Sequence, residues 1–363
     1  MQQRIAPVDA LRGVASIGVA LIFHLRYLSG DLSIDHPELM PLGWFLPIER
    51  IYRHGDMLVE LFFVLSGFIF HHIYRQDDGP TRASAADFAS ARFARLYPLM
   101  ALSTVLAGLA VYLGIGLTGH AYEDWGHAPA DWIRNLLGLQ FLRVEPASLN
   151  APTWSVSVEL ICYAAFYVLA RQRSPLFYAG SAMLLLCGLY SLAWVLGPKL
   201  PWFIARGVLG FFTGVLLYGV KEWFARLPLV ALAALLIAAG TLVWIDPWPL
   251  SRFASNALMT VMIWPLVLLV ALRAPVARWL DNRVMMLLGD LSYSIYLLHM
   301  PIILAILALH ANQPFSPQQI AWLWPPLVIA TLLLAWLSLH YIEMPLRRRL
   351  RIRRPVVKMT ELG

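Results

Sequence analysis

The chain reads as an all-α protein, a polytopic integral membrane bundle of about ten transmembrane helices with both termini in the cytoplasm. Three observations predict this: an apolar composition, ten long apolar stretches in series, and a one-sided distribution of Lys and Arg. Of 363 residues, 60% are hydrophobic and 13% are charged, and the mean hydropathy is +0.66. Soluble domains lie nearer 45 to 50% apolar and about 25% charged, so a soluble enzyme is excluded. The apolar mass and 12% aromatic content exclude a disordered chain, and two cysteines exclude a disulfide scaffold. Cys162 and Cys187 lie in apolar runs and are expected to be small buried hydrophobes. No metal-ligand spacing surrounds them, and no metal is expected.

A transmembrane helix needs about 20 mostly apolar residues. The candidate stretches are 13–30, 56–74, 96–117, 152–170, 176–197, 203–220, 228–245, 253–272, 287–309 and 322–342. The first continues for a full span behind Arg4 and Arg12, so no cleavable signal peptide is expected. The net charge of +7 does not mark a nucleic-acid surface, because of where it lies. With cytoplasmic termini, twenty of the 28 Lys and Arg face inward and seven outward, with Arg206 inside a span. One membrane domain over 1–346 is followed by a basic cytoplasmic tail, 347–363, whose arginines suit anionic lipid headgroups. Two long outer loops carry Trp44, Trp125 and Trp132, and 132–141 suits a short interfacial helix. Oligomeric state is not legible, since lipid-facing and partner-facing apolar surfaces look alike.

Ionisable residues within spans cost several kcal/mol and are functional candidates by default. Here they are His24, Glu60, Glu159, Arg206, Asp290 and His299. At about 1.5 Å rise per residue, His24 and His299 each lie roughly 18 Å from the inner face. Glu60 and Glu159 lie about 6 to 11 Å below the outer one. All four therefore fall in one outer-half layer, with Arg206 near its top. Ser155 with Glu159, and Ser292 with Tyr296 and His299, recur at the spacings that line one helix face. Asp56 and Glu60 are also four apart, so two like charges are expected to crowd one helix face. At the inner face Arg12, Arg92 and Arg95 form a cationic group suited to bidentate phosphate binding, or to ordinary positive-inside anchoring.

Several segments read together resemble acyltransferase family 3, integral membrane enzymes that acylate extracytoplasmic glycans and some other molecules. They are Val8-Asp9-Ala10-Leu11-Arg12-Gly13 with Phe23-His24; Glu60-Leu61-Phe62-Phe63-Val64-Leu65-Ser66-Gly67; Arg92-x-x-Arg95-x-x-Pro98; Trp154-Ser155-Val156-Ser157-Val158-Glu159; Arg206 with Phe211 and Gly214; Leu291-Ser292-Tyr293-Ser294-Ile295-Tyr296-Leu297-Leu298-His299; and Glu343-Met344-Pro345-Leu346-Arg347. Glutamate at 60 stands where the family more often has aspartate. The family usually leaves ten residues between its first-span arginine and histidine, and Gly13 to Phe23 makes eleven. Twelve steps of about 100° put Arg12 and His24 about 120° apart, so either a π-bulge near Gly18 or a non-helical lead-in carrying Arg12 is expected.

The resemblance implies a cytoplasmic acyl-CoA donor, most often acetyl-CoA, an extracytoplasmic glycan acceptor, and residence in the bacterial inner membrane among its lipids. On that reading Arg12, Arg92 and Arg95 hold the CoA phosphates and His24 is the general base or a transient acyl carrier. Glu60 orients His24; Arg206, Tyr296 or Ser155 stabilises the oxyanion; Glu159, His299 and Ser292 serve the acceptor or the hydrogen-bond network. With no fused hydrolase-like domain after the tenth span, transfer falls to this domain or to a separate partner. The competing reading is a transporter or flippase of a glycan or acyl-linked solute, using His and Glu as a proton relay; the lack of an inverted repeat weighs against it.

Overall fold

A computed structural model describes residues 4–30, 46–75, 79–122, 128–142, 148–193, 200–245 and 252–350. The described residues are helical and contain no strand. The main helices are α1 (Ala6–Ser29), α2 (Met57–Tyr74), α3 (Ala85–Thr118), α4 (Thr153–Ala170), α5 (Ser174–Ala193), α6 (Trp202–Ala225), α7 (Leu229–Ile245), α8 (Ala254–Ala271), α9 (Arg283–Leu309) and α10 (Pro317–Leu350). Nine of these are long and apolar enough to cross a membrane; α7 is the shorter one, with 17 residues. The protein is thus a polytopic helical membrane bundle.

Local chemistry sets the boundaries. Ser84 caps α3 by accepting from the Asp87 N–H, Asn282 caps α9 by accepting from Val284 and Met285, and Ser316 with Gln319 forms a capping box on α10. Gly119 ends α3 at φ +81°, a left-handed conformation that glycine adopts without a Cβ clash. Two π-helical turns, Met259–Ile263 and Leu339–Glu343, lie just ahead of Pro265 and Pro345. The wider turn absorbs the donor that proline lacks and the clash of its ring.

Inside a bilayer apolar burial gives helices little reason to associate, so close backbone packing has to. The tightest crossings are made by glycine. A methyl added at Gly67 of α2 would overlap the Phe211 carbonyl of α6, and one at Gly214 of α6 would overlap the Val64 carbonyl of α2. Gly13 of α1 and Gly289 of α9 seat these two helices against each other in the same reciprocal way. Gly67→Ala is expected to cost about 1–3 kcal/mol or more, read as a lowered thermal midpoint in detergent. Gly116→Ala, whose new methyl meets nothing within 4 Å, is the control and is expected to stay within about 0.5 kcal/mol of wild type.

Arginines at one end finish the helices. Arg75 is buried and donates to the Ala170 and Gln172 carbonyls (3.2 and 2.9 Å) and to Ser174 Oγ (2.9 Å). Arg273 donates to the carbonyls of Phe224, Ala225 and Leu227 at 2.6 to 2.7 Å. Each neutralises a helix C-terminus that has no further N–H to use.

Two sequence expectations change. Cys162 is buried but Cys187 is exposed on α5, because two apolar faces of a membrane helix look alike in sequence while only one meets protein. The short helix expected over 132–141 runs Pro129–Leu136, and Trp132 packs beside Gly108 and Tyr112. Trp44, Trp125 and the tail beyond Leu350 lie outside the described residues.

Candidate active site

The first helix breaks where the site begins. It is regular from Ala6 through Leu21, turns at Ile22 (φ −127°, ψ −62°), and passes through a 3₁₀ turn, Phe23–Leu25. The irregularity is therefore neither a π-bulge near Gly18 nor a lead-in at Arg12, both of which the spacing had suggested. The helix absorbs the extra residue immediately before His24.

His24 is 8% exposed and His299 is fully buried. His24 Nδ1 lies 2.6 Å from His299 Nε2, with the rings stacked 4.9 Å apart and 18° from parallel. His299 Nδ1 is 3.0 Å from the Ile295 carbonyl. A carbonyl only accepts, so Nδ1 of His299 carries a proton, and in the neutral ring its Nε2 is an acceptor. His24 Nδ1 must then be the donor. That leaves the His24 Nε2 lone pair without a proton, in the state a general base requires.

Glu60 takes no part in this pair. Its carboxylate forms a two-point ion pair with Arg206, whose Nε meets Oε1 and whose Nη2 is 3.0 Å from Oε2. The same Nη2 donates to the Asp56 carbonyl at 2.9 Å and lies 3.7 Å from the Asp56 carboxylate. Both carboxylates thus share one guanidinium. The expected roles, Glu60 orienting His24 and Arg206 facing an oxyanion, are not supported, because the two residues occupy each other. Burial in a low dielectric leaves an unpaired charge costly, and these are complementary.

Glu159 joins a third group. It accepts from Ser66 Oγ and lines a cavity of about 50 Å³ together with Arg12, Arg95, Ser155, Ser292 and Tyr296. Arg95 makes no hydrogen bond or ion pair with the described residues, and Arg12 reaches only Asp9, at 3.7 Å. Arg92 does not line this cavity. Its guanidinium lies over Phe70 at 5.0 Å and near Tyr74 and Tyr163 at 6.0 Å, with Nε and Nη1 buried and unbonded. The single outer-half layer expected from helix rise is therefore three groups. Depth arithmetic carries no information about which neighbours share it.

Tyr296 connects them. Its ring is 6.4 Å from that of His299, and its hydroxyl is 2.9 Å from Ser155 Oγ. Ser155 gives its one proton to the Pro152 carbonyl (3.0 Å), so Tyr296 is the donor to Ser155.

The family model described as an acyltransferase domain matches residues 5–340. The chain belongs to this acyltransferase family. Acyltransferase MdmB from Streptomyces mycarofaciens is 27% identical over 275 residues, covering 69% of this chain and 68% of that protein. No solved structure matches. This is therefore a membrane protein of an acyltransferase family.

Sequence reading did not single out several residues of this candidate site. Tyr163 lines the cavity four residues after Glu159, a helical spacing that was available. Ser66 and Tyr293 also line it; both stand inside the quoted motifs, at helical intervals from Phe62 and Tyr296. Glu343, which opens the last quoted motif and does not line the cavity, is 2% exposed in the π-turn, where Ser294 Oγ and Arg347 both donate to it.

Proposed function

We propose that this acyltransferase moves an acyl group, acetyl in the simplest case, from cytoplasmic acyl-CoA to a hydroxyl of an extracytoplasmic glycan or lipid-linked sugar in a bacterial inner membrane. The protonation order of the histidine pair carries the reading, because it leaves a base where an acceptor hydroxyl is to be activated. His24 Nε2 takes the hydroxyl proton, the alkoxide oxygen bonds to the thioester carbonyl carbon, and the C–S bond breaks. The imidazolium then returns the proton to the CoA thiolate, so atoms and charge balance. His299 fixes the tautomer and shares the transient charge.

Arg12 and Arg95 hold a donor phosphate at the cavity, since among the described residues Arg95 makes no hydrogen bond or ion pair and Arg12 only a long one. Arg92 supports this group by stacking on the aromatic wall. Tyr296 stabilises the oxyanion on leaving Ser155, and Glu159, with Ser66 and Ser292, holds the acceptor.

The test is acetyl-CoA binding and free CoA release by purified protein in lipid nanodiscs. Arg95→Ala is expected to weaken acetyl-CoA binding by about ten- to a hundredfold, the loss of one charge-assisted hydrogen bond. Arg92→Ala is expected to weaken it less. If wild type neither binds nor consumes acetyl-CoA, the donor assignment fails and the proton-relay transporter is the reading left to pursue.

A further inference from the structure

Both histidines of the pair stand beside a fault in their helix, and each fault frees a carbonyl. In α9, Pro301 lies two residues after His299 and has no N–H, so the Leu297 carbonyl loses its α-helical donor. Asn150 supplies one: its Nδ2 donates to that carbonyl at 3.0 Å. In α1, the N–H of Leu25 turns to Ile22 (3.3 Å) and not to Leu21, and the Leu21 carbonyl accepts from the indole N–H of Trp324 in α10 at 2.8 Å.

Two side chains remote in sequence therefore hold the two breaks between which His24 and His299 meet. Asn150 is fully buried and its Oδ1 is unbonded. An amide kept inside protein with its acceptor unmade is unfavourable, so the Nδ2 contact is what this residue contributes. It is also anchored from behind: its carbonyl accepts from Thr153 N (2.9 Å) and Thr153 Oγ1 (2.7 Å), which ties α9 to the start of α4 and hence to Ser155 and Glu159.

We infer that Asn150 and Trp324 are positioning residues, which set the His24–His299 contact by occupying the backbone carbonyls freed at Pro301 and at the α1 break. Neither touches the reacting atoms. The inference rests on the proposed role of His24, and its test separates the two.

The experiment uses full-length protein in nanodiscs, with acetyl-CoA consumption as one readout. The second readout is carbethoxylation of His24 by diethyl pyrocarbonate, measured by mass spectrometry against exposed His340. Asn150→Ala, and Trp324→Phe, which keeps the ring and removes the donor, are each expected to lower kcat about 10- to 100-fold, as a misplacement near 1 Å does. KM for acetyl-CoA is expected to stay within about twofold, and His24 carbethoxylation to change severalfold.

Pro301→Ala restores the missing N–H. In that background Asn150→Ala is expected to cost less than about twofold, while Trp324→Phe keeps its full effect. Should Asn150→Ala alone fail to fold, the double variant is expected to fold. Equal cost of Asn150→Ala in both backgrounds, no recovery of folding by Pro301→Ala, or a KM that rises as kcat falls overturns the inference. If His24→Ala turns over normally, the catalytic reading itself is what fails; if it is inactive while the cycle shows no coupling, only the positioning roles fall.

Discussion

Replacing His24 with alanine is expected to lower acyl transfer by about 10²- to 10⁴-fold, the usual worth of a positioned general base, while acetyl-CoA binding persists. The structure gives the reason for the separation. His24 contacts Phe23, Tyr27 and His299 and does not line the cavity where Arg12 and Arg95 stand, so the arginines proposed to hold the donor are undisturbed by its loss. His299→Ala is expected to lower kcat by a smaller factor, about 10- to 100-fold, because His24 keeps a basic nitrogen but loses the partner that fixes which one. Measuring free CoA released per folded molecule checks both. Turnover within a few-fold of wild type in folded His24→Ala protein would sink the assignment.

Arg206→Met is expected to destabilise the protein by about 3–5 kcal/mol, the cost of leaving a buried partner charge alone. Glu60 is fully buried and has Arg206 on both oxygens, so no water replaces the guanidinium. Adding Glu60→Gln to Arg206→Met is expected to recover part of the loss, since it removes the buried charge at 60 while Asp56 has still lost this guanidinium. Denaturation of the wild type, both single variants and the double variant in detergent closes the cycle. Equal stability of Arg206→Met and wild type would show that the pair is solvated, and would return Glu60 to the catalytic group. The pairing also predicts that Glu60→Gln acts mainly through stability.

Composition and hydropathy were enough to determine that this chain is a helical membrane bundle, where most of its helices lie, and which few polar side chains sit inside them. The reason is that a bilayer admits only segments whose backbone bonds to itself and whose side chains are mostly apolar, so each departure from that pattern stands out one residue at a time. The motif around Trp154–Glu159 and the run ending at His299 pointed to acyl transfer only through their resemblance to a known family.

Which polar groups meet was decided only by the tertiary structure. Helix rise put His24, Glu60, Glu159, Arg206 and His299 at similar depth, but depth does not say which way a helix face turns. Glu60 found Arg206, 146 positions away; His24 found His299, 275 away; and Glu159 faced the arginines of the cavity. The break at Ile22 and the carbonyls freed there and at Pro301 show the cause. A single backbone fault rotates everything beyond it, and whether the fault is tolerated depends on a donor, Trp324 or Asn150, that arrives from elsewhere in the chain.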